Sequence, residues 1–219
     1  MGLGSFKALG AASVIATIAQ DRAKNGVYEN VLSDMTFVTA SAGNHGLSVV
    51  AGANAFGAKA VIYLAETVPV SFQEKLRSIG AEVVVEGVDY EASMSAAEQS
   101  AKENDWFLLS DSTWPGYAVG ADVMKGYMLS AKEIVEQCPE PPTHLFALDA
   151  LARNANDFMT LTDQDVEKEL PRLSELGLDT SPSGGAGLAA ALIGASQGEF
   201  GLKATSRVMC IVSEGAVND

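Results

Sequence analysis

Thr39-Ala40-Ser41-Ala42-Gly43-Asn44-His45-Gly46 ends the apolar run Phe37-Val38-Thr39 and leads into a helical pattern over 46 to 56. A β-rich run that passes through glycine and small hydroxyl residues into a helix is the repeating joint of an alternating α/β chain. Such a joint also aims backbone N–H groups at an anion, either a carboxylate or a phosphate. Asn44 adds an amide that can donate to a phenolate oxygen. An ordinary strand-to-helix turn is the plain alternative, and by itself His45 reads as satisfying a local hydrogen bond.

Working outward, strands are expected at 37 to 39, 61 to 64, 83 to 85, 107 to 109, 144 to 146 and 208 to 212. Runs this apolar suit strands covered on both faces, as in parallel sheets. Helices are expected near 7 to 24, 46 to 56, 71 to 79, 90 to 103, 117 to 137, 163 to 176 and 186 to 197, with Pro171 weakening the sixth. Ser71 with Glu74 three residues on predicts a capping box, and Gly80 a C-terminal stop. Pro182 with Gly184, Gly185 and Gly187 is read as the loop that introduces the last helix.

The 219 residues carry 14 Lys plus Arg against 28 Asp plus Glu, a formal charge of -14. A field of that sign repels phosphate backbones and anionic lipid, so neither nucleic acid nor a membrane surface is an expected partner. Cys138 and Cys210 are far apart and lack metal-type spacing, which predicts no disulfide framework, no metal site and a cytoplasmic setting. The apolar stretch from Ala8 to Ala19 is too short to span a bilayer and lacks the flanks of a signal peptide.

Four positions are candidates for chemistry. Lys7 precedes an almost wholly apolar helix, and a desolvated lysine favours its neutral, nucleophilic form, able to make a Schiff base. A lysine whose stem lies along apolar surface is the alternative. Asp111, in Ser110-Asp111-Ser112-Thr113-Trp114-Pro115-Gly116-Tyr117, follows a strand and would act as acid or base if burial raised its pKa; otherwise it caps a turn. Ser213, in Ser213-Glu214-Gly215, stands at a similar strand end. Ser183-Gly184-Gly185-Ala186-Gly187, at a helix start, is a phosphate-binding candidate through Gly184 and Gly185.

Taken in order, Gly4-Ser5-Phe6-Lys7, Ser41 to Gly46, Ser181-Pro182-Ser183-Gly184-Gly185 and Ser213-Glu214-Gly215 resemble the fold-type-II pyridoxal-phosphate enzymes, which are tryptophan-synthase-β-like. The runs from Asp111 to Tyr117 and from Tyr63 to Pro69 are most similar to the diaminopropionate ammonia-lyases. The resemblance implies a three-layer αβα fold with mostly parallel sheets. Residues 39 to 111 would form a small α/β domain, and 1 to 38 and 112 to 219 parts of a larger one. It implies pyridoxal 5'-phosphate as cofactor and a small amino acid of the 2,3-diaminopropionate type as substrate, eliminated to a 2-oxo acid and ammonia in amino-acid catabolism. A homodimer is a further implication.

By the same resemblance Lys7 holds the cofactor and removes the Cα proton, Asn44 contacts its 3-hydroxyl, and Ser213 its pyridine nitrogen. Ser41, Gly43, Asn44 and His45 hold the substrate, and Asp111 serves the departing β-amino group. Three departures accompany it. Only six residues precede Lys7, and Ala42 stands where many diaminopropionate lyases have an aspartate serving the D-isomer. No glycine occurs between Gly126 and Gly177, where the family's phosphate loop is expected, so the chain reads as truncated and internally deleted. A catalytically silent relic and a threonine or serine dehydratase-like enzyme are the alternatives. A dinucleotide-binding domain is disfavoured, because no G-x-G-x-x-G run follows a strand.

Overall fold

The computed structural model describes residues 4–146 and 156–215. Two compact units emerge, Met1–Lys132 and Glu133–Asp219. The first holds α1 (Ala8–Arg22), β1 (Thr36–Ala40), α2 (Asn44–Ala55), β2 (Lys59–Leu64), α3 (Val70–Ser78), β3 (Glu82–Val85), α4 (Tyr90–Asn104), β4 (Phe107–Leu108) and most of α5 (Val119–Gln137). The second holds β5 (His144–Phe146), α6 (Asp163–Glu175), α7 (Pro182–Gln197) and β6 (Val208–Cys210). Every expected element is present. Strand β1 begins at Thr36, and the sheet it joins lies in the same unit as α1.

In the first unit the strands are all parallel, in the order β3-β2-β1-β4, with Val38 opposite both Val61 and Leu108. Side chains alternate across the pleat. Phe37, Ile62 and Leu64 join one core with Ile15, Val49, Val50, Leu76 and Val123 from the helices. Val38, Ala40, Val61 and Tyr63 join a second with Ala97 and Ala101 of α4. One sheet buried between two helical layers is the expected αβα arrangement.

Chain order and spatial order part company at β1. From β1 the chain steps to β2 and β3 on one side, then returns through α4, which packs on β1 and β2, to place β4 on the other side. Right-handed crossovers in opposite directions put their helices on opposite faces. The carboxyl ends of β1 and β4 therefore flank a topological switch point, where open α/β sheets form their crevice. Ser41 and Asp111 lie just beyond those two ends.

In the second unit β5 and β6 pair in parallel, His144 opposite Val208, and α6 packs on α7. Helix α6 runs straight through Pro171 and is started by a capping box between Thr162 and Asp165. The box expected at Ser71 and Glu74 does not form, because α3 already begins at Val70 with Pro69 as its N-cap and no side-chain cap. Gly80 ends that helix as expected, at a φ of +96°. Helix α7 starts at Pro182, four residues before the expected start, so Gly184 and Gly185 belong to its first turns rather than to a loop. The segment 147–155, which contains the expected internal deletion, lies outside the described residues.

Candidate functional site

Two small contacts fix where Lys7 lies. The buried Ser48 of α2 donates through Oγ to the Ala8 carbonyl at 3.1 Å and accepts from the Ala12 N–H at 3.3 Å. The helices can approach this closely because Gly52 has no side chain; a Cβ there would stand 2.8 Å from Ile15 Cδ1 and 3.1 Å from Ala12 Cα. Lys7, one residue before α1, is thereby placed near the N-terminus of α2. Phe6 packs its ring edgewise on Tyr127 at 4.9 Å and secures the turn from the other side.

Lys7 Nζ donates to Asp111 Oδ2 at 2.7 Å, and His45 Nδ1 stands 3.9 Å from the same oxygen. Lys7 is not the fully desolvated amine expected from its apolar neighbours: its side chain is 37% exposed, against 25% for Asp111 and 5% for His45. Asp111 departs from expectation in sign. Burial pushes its carboxyl up, but the adjacent His45 ring and Lys7 ammonium more than offset this and hold it below the ordinary aspartate value. Asp111 is therefore a carboxylate at neutral pH. Burial lowers the pKa of His45, and Asp111 and the Leu109 carbonyl only partly oppose it, so the ring is neutral at pH 7.

The Ser41 to Gly46 turn wraps a hydroxyl. The N–H groups of Gly43 and Gly46 donate to Ser41 Oγ at 3.3 and 3.0 Å, while the Ser41 N–H reaches back to the Tyr63 carbonyl. Two donors expected to face a carboxylate are thus engaged by Ser41 in this state. Gly46 is required by space, since a Cβ would meet the Ser41 carbonyl oxygen at 2.9 Å, whereas a Cβ at Gly43 would meet nothing within 4 Å. Open space therefore lies beside the N-terminal end of α2, which carries positive partial charge. Asn44 is the first residue of that helix. The His45 ring is buried against the Leu109 carbonyl, so any substrate contact from this residue falls to its backbone.

The sequence assigns no role to Tyr117 or Tyr127, although Tyr117 closes the aromatic run that begins at Trp114. The Tyr117 hydroxyl accepts from the Ser110 N–H at 2.8 Å and donates to the Leu108 carbonyl at 3.0 Å, pinning the turn that presents Asp111. Trp114 stacks on its ring at 4.1 Å. Both phenols are pushed up to about 12, chiefly by burial, and remain neutral.

The remaining expected residues belong to the second unit. There the Ser213 N–H donates to the Gly184 carbonyl at 3.3 Å, so those two do lie together. The phosphate expectation for Gly184 and Gly185 meets an obstacle: the Gly184 N–H is committed to Ser181 Oγ at 3.0 Å, and that hydroxyl is bonded to the Glu214 carboxylate. A Cβ at Gly184 would meet Glu214 and Thr180, which accounts for the glycine by packing. An anion already stands at this helix end. Among the described residues no cluster of side chains suits a metal ion, and no helix is long and apolar enough to cross a membrane.

The geometry can be set against known proteins. The family described as pyridoxal-phosphate dependent enzyme matches residues 1–148. Diaminopropionate ammonia-lyase of Salmonella typhimurium is 29% identical over 189 residues, covering 78% of this chain and 47% of that protein. The Escherichia coli enzyme of the same name is 32% identical over 160 residues, covering 66% and 39%. The chain thus spans less than half the length of these curated relatives. In fold, it is similar to the apo form of the Escherichia coli diaminopropionate ammonia-lyase, with a TM-score of 0.80 at 22% identity, covering 98% of this chain and 75% of that one. Maize serine racemase follows at 0.74 and 20% identity, covering 99% and 81%. A matched stretch covering most of the chain, with an amine, a carboxylate and a helix N-terminus meeting at a topological switch point, has one consistent reading: the chain belongs to the pyridoxal-phosphate dependent enzymes.

Proposed function

We propose that this chain is an ammonia-lyase that eliminates the β-amino group of a 2,3-diaminopropionate-like amino acid, using pyridoxal 5'-phosphate. The observation that carries the proposal is the 2.7 Å contact between Lys7 Nζ and Asp111 Oδ2. The residues present fit the cofactor: a partly exposed amine stands near a helix N-terminus, with open space beside Gly43. Lys7 would hold it and Asn44 would contact its 3-hydroxyl. Bound pyridoxal phosphate supplies an electron sink for the pair left when a Cα–H bond breaks.

The chain's own groups supply the rest. The Lys7 amine would take the Cα proton. The N-terminal turn of α2, with Ser41, Gly43 and the backbone of His45, holds the substrate carboxylate. Because Asp111 is anionic, it pairs with a cationic β-ammonium, which departs as ammonia with its bonding electrons. This charge match favours a diamino acid over the neutral β-hydroxyl of threonine or serine.

Adding pyridoxal phosphate to the purified chain should produce a cofactor absorbance band that Lys7→Ala lacks, and ammonia should be released from L-2,3-diaminopropionate faster than from L-threonine. A chain that gains no band, or that prefers threonine, would sink the proposal.

A further inference from the structure

His45 lies beside the Lys7–Asp111 pair with one ring nitrogen used and the other not. Its Nε2 is 2.9 Å from the Leu109 carbonyl oxygen, which can only accept, so Nε2 carries the hydrogen. In the neutral ring Nδ1 is then a bare acceptor. It is buried, has no hydrogen-bond partner among the described residues, and stands 3.9 Å from Asp111 Oδ2. One proton placed on Nδ1 turns a lone pair facing a carboxylate into a charge-assisted contact.

We propose that His45 is the proton store of the Lys7–Asp111 pair, a positioning residue whose Nδ1 takes up the proton that Lys7 gives up when its amine becomes neutral. This rests on the reading of Lys7 as the reactive amine. The proton leaves Lys7 Nζ, crosses Asp111 Oδ2 and ends on His45 Nδ1. Lys7 becomes a neutral amine, His45 an imidazolium and Asp111 stays a carboxylate, so the charge of the three is unchanged. The carboxylate therefore keeps a cationic partner while the amine is free to react.

The 3.9 Å separation is about 1 Å beyond hydrogen-bond length. Asp111, whose side chain is a quarter exposed, has room to close it. The groups around the pair are Lys7 before α1, Asp111 after β4, Tyr90 on α4, Tyr117 before α5 and Tyr127 on α5. Burial foremost, together with the charge of Asp111, raises all three phenols, which stay neutral. Lys7 and Asp111 are thus the charges that set the proton affinity of His45.

The chain has only two histidines, so an NMR titration of their ring signals resolves His45 without any cofactor present. Lys7→Met should raise the His45 midpoint by about 1 unit or more, since the carboxylate then has no other cation, and Asp111→Asn should lower it. A midpoint unmoved by Lys7→Met, or not lowered by Asp111→Asn, overturns the proposal. A second arm follows the pH dependence of Lys7 acylation by acetic anhydride, read by mass spectrometry, in wild type and His45→Gln. The glutamine amide can still donate to the Leu109 carbonyl but offers no basic nitrogen. Its profile should move to higher pH; coincident profiles overturn the proposal, and if this variant does not fold the NMR arm decides alone. Neither arm uses pyridoxal phosphate, so failure of the lyase reading and failure of this one are separable.

Discussion

Lys7 Nζ and Asp111 Oδ2 lie 2.7 Å apart although 104 positions separate them in the chain. The lysine stands immediately before helix α1 and the turn after β4 presents the aspartate, so the contact depends on how α1 packs on α2 and where β4 joins the sheet. An ion pair this exposed contributes little to stability, about 0–1 kcal/mol. Its value is chemical, because the carboxylate fixes the amine in place.

Removing either partner should separate binding from turnover. Lys7→Ala should keep the fold and lose the cofactor band. Asp111→Asn should keep the band and lower ammonia release by about 10²–10³, the usual cost of removing one group that stabilises charge at a reacting centre. Absorbance spectra and an ammonia assay on the two variants check this.

Stability should fall as the solution is acidified from pH 7 toward 5. His45 has a folded-state pKa below its ordinary 6.5, so the unfolded chain takes up that proton first and gains on the folded one. The stabilisation is complete above about 6.5, the unfolded value, and is lost as pH falls toward the folded value. Thermal unfolding of wild type and His45→Gln across this window should show the smaller loss in the variant. Asp111, held low, contributes in the same sense but at lower pH, above about 3.9 in full and lost below it.

Glycines at the site and in the packing should respond oppositely. Gly126→Ala places a Cβ 2.4 Å from the Leu9 carbonyl oxygen and 3.1 Å from Gly10 Cα, forcing α1 and α5 apart at a cost of about 1–3 kcal/mol. Gly43→Ala meets no atom within 4 Å and should leave the denaturation midpoint unchanged while weakening cofactor or substrate binding. Urea unfolding alongside a binding titration distinguishes the two.

Substrate handedness should be strict. Ala42 is exposed at the turn before α2 and carries no group able to move a proton. The D-isomer of diaminopropionate should therefore react at least about 10²-fold more slowly than the L-isomer. Comparable initial rates for the two isomers would contradict this.

Much of the architecture was legible in residue order. The runs 61 to 64 and 83 to 85 are apolar enough to demand cover on both faces, and the helices between them follow from periodicity. Boundaries were read less well where glycine serves packing rather than punctuation. Gly184 and Gly185 look like a loop, yet they sit in the first turns of α7 because Thr180, Leu170, Leu173 and Glu214 leave no room for side chains. Ser71 and Glu74 have the spacing of a capping box, but Pro69 starts the helix ahead of them. At the site, Ser41, Asn44 and Asp111 stood out by residue type and by position near strand ends, and Lys7 by its place before an apolar helix. The buried roles of His45 and Tyr117 did not, because each depends on a backbone carbonyl from another segment.

Sequence alone determined that this chain alternates strand and helix and that the candidates Ser41 and Asp111 follow strands, because periodicity and turn composition act over a few residues. Only the tertiary structure decided the ionisation of the site. Whether Asp111 is an acid or an anion depends on a cation 2.7 Å away and on how much water reaches it. Those quantities arise when α1, β4 and α2 are brought together, and no local pattern records them.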